Sequence, residues 1–192
     1  MVVTITGGSG SGKSRMAEAI SEALCSGPKL YAATMRVYDQ ESRKRVERHR
    51  KQREGGQFAT LECPSGVERI RFEKKEGLIL LECISNLVAN ELYSGEQFAM
   101  QDPKETAGRI IRGIGHLAEN ADHLVVVANE LFQSGIKDRE MQAYLQVAGA
   151  VHRFLMERSD VFIESVYGLP YFWKGSGLLT QEKGKWVWNK KD

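Results

Sequence analysis

A chain of 192 residues, 42% hydrophobic and 27% charged, is long enough to bury its own core and too apolar to be disordered. A formal net charge of +2 gives no ground for nucleic acid or an anionic membrane surface as partner, and no apolar run reaches the roughly 18 residues that a bilayer span needs. Cys25, Cys63 and Cys83 are odd in number and form no C-x-x-C pair, which argues against a disulfide framework or a zinc site. With no signal peptide ahead of the first strand, the expected location is cytoplasmic.

Val2–Thr6 is short, apolar and β-branched, the pattern of a buried strand. A glycine–serine loop follows at 7–12. Residues 13–25 carry Met16, Ala19, Ile20, Ala23 and Leu24 at helical spacing, and Gly27 with Pro28 stops that helix. Residues 30–33 predict a second strand. Residues 39–54 hold seven Lys/Arg and four Asp/Glu and predict an exposed helix ended by Gly55 and Gly56. Next come a short strand over 58–62 and a helix over 66–74. Residues 78–83 are a continuous apolar run closed by Glu82 and Cys83, which suits a central parallel strand. Helices are predicted over 84–93, 104–120 and 138–158, strands over 124–128 and 161–165, and a polar loop over 94–103. Residues 178–180 and 185–188 flank Gly184 and predict a small hairpin. Strands alternating with helices predict an α/β fold, a mostly parallel sheet with helices on both faces. Residues 1–174 read as one catalytic domain and 175–192 as a C-terminal extension.

Gly7, Gly8, Ser9, Gly10, Ser11, Gly12, Lys13 and Ser14 fit G-x-x-x-x-G-K-[ST] without a gap, with a strand before and a helix after. Glycines let the backbone curl until successive N–H groups face an anion, and the helix N-terminus adds its partial positive charge. The expectation is a P-loop NTPase-like (RecA-like) enzyme that binds a nucleoside triphosphate, GTP or ATP, with Mg2+. Lys13 would reach the β and γ phosphates and Ser14 would ligate the metal. A carboxylate at the end of a buried strand is the usual complement to such a serine. Glu82 is the first candidate and Glu130 the second.

Arg45, His49 and Arg53 stand at i, i+4 and i+8 and share one helical face. Two readings stay open on spacing alone. One is a solvated charged face with a surface histidine. The other is a ring of cations that holds a triphosphate and keeps the imidazole neutral, ready to attack phosphorus.

Five blocks of residues in order resemble the bifunctional adenosylcobinamide kinase / adenosylcobinamide-phosphate guanylyltransferase family of cobalamin biosynthesis. They are Thr6 to Arg15 with Ala17-Glu18-Ala19; Tyr31-Ala32-Ala33-Thr34; Arg45-Val46-x-x-His49-Arg50-x-x-Arg53 with Thr60-x-Glu62; Leu80-Leu81-Glu82-Cys83 with Asn90; and Asn129-Glu130 with Gly168-Leu169-Pro170. The resemblance covers about residues 1–174. It implies that His49 is guanylylated by GTP, and that the nucleotide site is lined by 7–14, Ala33, Thr34, Met35, Arg50, Lys51, Gln52, Arg53, Glu62 and Glu82. It implies a corrinoid substrate, adenosylcobinamide, and a homo-oligomer, in this family often a trimer. The chain departs from the family pattern at 131–137, which lacks the usual proline, at 145–153, and at Glu54, where proline is usual. These departures motivate two rivals: a kinase without the guanylyltransferase step, and a non-catalytic nucleotide-binding regulatory protein.

Trp173, Trp186 and Trp188 read as cover for a core or an interface. His116, His123 and His152 have no partners at ligand spacing and read as structural or exposed. Cys83 reads as an inert core thiol. Asp102 is a candidate base only if the fold aims it at a substrate hydroxyl.

Overall fold

Strand β4 (Glu76–Glu82) shows how the sheet is built. Leu78 and Leu80 belong to one core cluster, Ile79 and Leu81 to another, and all four are 0% exposed. Side chains alternate along a strand, so a run apolar at every position must be covered on both faces. The computed structural model describes residues 1–36, 40, 47, 55–130 and 138–189. The predicted charged helix over 39–54 therefore lies outside the described residues, except for Gln40 and Glu47, which are helical.

Seven strands form one sheet in the order β3-β2-β4-β5-β1-β6-β7. They are β1 (Val2–Thr6), β2 (Lys29–Ala33), β3 (Phe58–Glu62), β4, β5 (Ala121–Val127), β6 (Val161–Val166) and β7 (Leu169–Lys174). The first six run parallel, and β7 is antiparallel to β6. Helix α1 (Lys13–Leu24) lies on the face lined by Val3, Ile5, Leu78, Leu80, Val125 and Ile163. On the opposite face α2 (Ile84–Leu92), α3 (Pro103–Glu119) and α4 (Arg139–Arg158) enclose Ile79, Leu81, Leu124, Val126 and Phe162. The predicted α/β sheet covered on both faces is the fold observed.

Local chemistry sets the ends of these elements. Asp102 and Asp138 each accept a bond from the backbone N–H three residues on, Glu105 at 2.8 Å and Met141 at 2.7 Å, and so cap α3 and α4. This commits the Asp102 carboxylate to a helix cap. The predicted helix over 66–74 is not formed. A single 3-10 turn, Val67–Arg69, opens at Gly66 with φ 70° and passes into extended backbone at Ile70. The buried part is Val67, which packs so closely on Gly113 of α3 that a Cβ there would stand 2.3 Å from its Cγ2. The segment follows α3 and not a helical period of its own.

Strand β7 is absent from the sequence reading. Tyr167 and Gly168, with φ 51° and 84°, form a two-residue turn between Val166 and Leu169. Two positive φ values in succession give the type I′ geometry whose twist suits a hairpin. As an edge strand, β7 turns Phe172 to the core and leaves Leu169, Tyr171 and Trp173 exposed. The predicted C-terminal hairpin forms as β8 (Leu179–Glu182) and β9 (Lys185–Trp188). Leu179 is fully buried, and Trp186 and Trp188 pack on the α1-side core, Trp188 edge-on to His123 with ring centres 4.7 Å apart.

Among the described histidines, His116 and His152 bond backbone carbonyls and His123 packs on Trp188. His116 Nε2 lies 2.7 Å from the Ile70 carbonyl, and His152 Nδ1 donates to the Ala148 carbonyl at 2.8 Å. Burial pushes the His152 pKa below its ordinary 6.5, against the opposing pull of the Ala148 carbonyl, Glu130 and the Asn129 backbone. A depressed folded value means that the unfolded chain takes up the proton first, so stability is full above pH 6.5 and falls as pH drops through that value. Thermal unfolding from pH 8 to pH 5 is expected to show this slope, and His152→Gln to flatten it. An unchanged slope in the variant would assign the acid loss to other groups.

Candidate active site: a phosphate loop facing a strand-end carboxylate

The loop over 7–14 leaves β1 at its C-terminal end and feeds directly into α1. Gly7, Gly10 and Gly12 take φ of 148°, 72° and 88°, which side chains rarely adopt. At Gly7 the requirement is also one of space: a Cβ would meet the Ser165 carbonyl oxygen at 2.6 Å and Ser11 Oγ at 2.7 Å. Gly8, Ser9 and Gly10 are exposed at the crest, whereas Gly7 and Lys13 are buried. Lys13 is 7% exposed, and its ammonium donates to the Gly8 carbonyl at 2.8 Å, so the charge is drawn back over the loop. Ser11 Oγ is buried with no hydrogen-bond partner among the described residues.

Glu82 ends β4 beside this loop, 9% exposed. Ser14 Oγ donates to its Oε1 at 2.5 Å, and the Tyr31 hydroxyl donates to its Oε2 at 3.3 Å. Sheet register explains the meeting. Ala33 pairs with both Glu62 and Glu82, and Glu82 with Val127, so these residues form one row across the C-terminal edge of the sheet. Below the row, Thr34 is fully buried: its Oγ1 donates to the Cys83 carbonyl at 2.8 Å and accepts from the Cys83 N–H at 2.7 Å. Asn90 Nδ2 ties the Thr34 and Pro64 carbonyls together at 2.8 and 2.9 Å. Thr34 and Asn90 thus brace the strand ends that carry Glu82. Cys83 is buried, and burial pushes its thiol pKa up, as it pushes Cys63 to about 11. Neither is a ready nucleophile at neutral pH.

Of the residues expected at the site, the structure gathers 7–14, Ala33 and Glu82 at one end of the sheet, with Thr34 beneath and Met35 half-buried next to it. Glu62 stands in the same row but is exposed. Glu130, the second candidate carboxylate, is exposed, and its backbone N–H donates to the Gly7 carbonyl at 3.1 Å. His49, Arg50, Lys51, Gln52 and Arg53 lie outside the described residues. Two residues not expected at the site touch it. Tyr31 presents a hydroxyl from the middle of β2. Ser165, 2% exposed, sends Oγ to the Ser11 carbonyl at 2.7 Å. Ser165 comes just after the apolar run 161–163, as Glu82 comes at the end of β4, whereas Tyr31 stands in the middle of its strand and carries no such signal.

The arrangement suits an anion: a glycine loop at a helix N-terminus, one buried lysine, and a serine hydroxyl against a carboxylate. Ser14 Oγ and Glu82 Oε1 are hard oxygen donors of the kind that Mg2+ takes. Among the described residues no group of three or more His, Cys, Asp or Glu could hold a metal by itself. Among the same residues no helix is long and apolar enough to cross a membrane.

A glycine loop between the first strand and first helix of a mostly parallel seven-stranded sheet, with a strand-end carboxylate on its serine, defines a P-loop NTPase-like protein. A solved ATPase of a bacterial type III secretion system shares this fold, with a TM-score of 0.56 at 12% identity, over 89% of this chain and 56% of that one. The chain belongs to the cobinamide kinase / cobinamide phosphate guanyltransferase family, whose model covers residues 3–172. It is 29% identical over 171 residues to the bifunctional adenosylcobalamin biosynthesis protein CobU of Salmonella typhimurium, covering 83% of this chain and 92% of that protein. The protein of the same description from Escherichia coli is 35% identical over 109 residues, 55% of this chain and 56% of that protein.

Proposed function

We propose that this chain phosphorylates adenosylcobinamide with a nucleoside triphosphate and then transfers GMP from GTP to the resulting phosphate. Family membership supports the two activities. The observation that carries the reading is the Ser14–Glu82 contact against a closed phosphate loop that also holds Lys13. In the kinase step the substrate hydroxyl oxygen forms a bond to the γ-phosphorus. The bond to the β–γ bridging oxygen breaks, a nucleoside diphosphate leaves, and the hydroxyl proton passes to solvent water. Loop amides and Lys13 hold the phosphate oxygens as charge shifts to the leaving group. Ser14 and Glu82 are the residues that would hold Mg2+, and their oxygen donors fit it. When bound, Mg2+ would supply charge neutralisation at the phosphates.

For the second activity His49 is the nucleophile. Its imidazole nitrogen attacks the α-phosphorus of GTP and pyrophosphate leaves. An oxygen of the substrate phosphate then attacks the same phosphorus, breaks the N–P bond and frees the histidine. Support for His49 is the Arg45/His49/Arg53 spacing together with the family resemblance. Arg50 to Arg53, Met35 and Glu62 belong to the same proposal as nucleotide contacts, and a homo-oligomer, by resemblance a trimer, as its assembly.

The test is incubation with GTP labelled at the α-phosphate, followed by denaturation. Label that stays on the protein, stable to alkali and lost in acid, is the expected result for an N–P bond. Absence of label from a preparation that still phosphorylates adenosylcobinamide would reduce the protein to a kinase.

A further inference from the structure

We propose that Ser165 and the backbone amide of Gly168 form a positioning device for the phosphate loop, fixing the direction of the Gly12 amide. The proposal rests on reading residues 7–14 as the nucleotide-phosphate site.

Strand β6 runs beside β1, with Thr6 paired to Glu164, so the next residues, Gly7 and Ser165, meet where the loop begins. From there the β6–β7 turn folds back over the loop. The Ser11 carbonyl accepts two bonds from it, Ser165 Oγ at 2.7 Å and Gly168 N–H at 2.8 Å. In a trans peptide the carbonyl and the next residue's N–H point in opposite directions. Tying the Ser11 carbonyl to the hairpin therefore turns the Gly12 N–H away from it, to the side where the loop amides gather around an anion. The turn must come close to do this. A Cβ on Gly12 would stand 3.3 Å from Gly168 Cα, and Gly168 reaches the loop with φ 84°, following Tyr167 at 51°. A hydroxyl at 165 and positive-φ backbone at 167 and 168 thus act together on one peptide group at the other end of the chain.

Ser165→Ala removes one of the two bonds and leaves the loop residues intact. Equilibrium binding of Mg·GTP and of Mg·tripolyphosphate is expected to weaken by a similar factor, about 3- to 10-fold, the range that one lost hydrogen bond allows. Equal loss on both probes locates the effect at the phosphates. A merely structural role would lower the melting temperature of the ligand-free variant and leave both affinities unchanged at 25 °C. A folded Ser165→Ala with wild-type affinities overturns the proposal while the nucleotide reading stands. Failure of the wild type to bind either probe overturns both. Amide hydrogen exchange on the wild-type protein gives a second readout. Saturating Mg·GTP is expected to slow exchange at Gly168 several-fold, because a ligand that orders the loop orders its tether; unchanged exchange there also counts against the device.

Discussion

Lys13→Ala is expected to lower kcat for phosphoryl transfer by roughly 10²- to 10³-fold, the cost of removing one preorganised charge from a developing anion. Lys13 is 7% exposed, and its ammonium is held by the Gly8 carbonyl inside the loop it serves. Its charge acts where water is excluded, and there it is worth more than at the surface. Alanine is a good helix former at the first position of α1, so the fold should survive. Far-UV circular dichroism and melting without ligand serve as the control. Steady-state kinetics with adenosylcobinamide and a nucleoside triphosphate give the measurement. A native-like variant with wild-type kcat/KM would remove the phosphate loop from the chemistry altogether.

Glu82→Gln is the second large effect. Glutamine keeps the size and the acceptor oxygen that Ser14 Oγ needs, loses the charge, and turns the oxygen that Tyr31 donates to at 3.3 Å into an NH2 donor. If the carboxylate serves a divalent cation, kcat at fixed Mg2+ should fall by about 100-fold, and the Mg2+ concentration giving half-maximal rate should rise. Nucleotide binding measured in EDTA should be unchanged or stronger, because a negative charge beside the phosphates has gone. That split separates a metal role from a structural one. Equal losses with and without Mg2+ would make Glu82 a strut for Ser14 and Tyr31 and move the metal site elsewhere.

The reading of the sequence missed β7, and the reason is physical. Residues 169–174 lack strict alternation in polarity because the strand lies on the sheet edge, with Phe172 inward and Leu169, Tyr171 and Trp173 exposed. Their partner is β6, and the turn that joins them is set by two positive φ values, one at a tyrosine that carries no turn signal. The helix expected over 66–74 failed for a related reason. Val67 is buried by α3, a contact that leaves no period in its own neighbourhood. His49 rests on spacing and resemblance, since residues 48–54 lie outside those described.

By itself the sequence determined the phosphate loop, the parallel character of the sheet and the strand-end carboxylate at Glu82. Each is written in consecutive residues: positive-φ glycines, runs apolar at every position, an acid closing such a run. Tertiary structure alone decided what these meet. Tyr31 reaches Glu82 from 51 residues away, and Ser165 reaches Ser11 from 154. Strand order and register set those distances, and local propensity holds no record of which strand ends beside which.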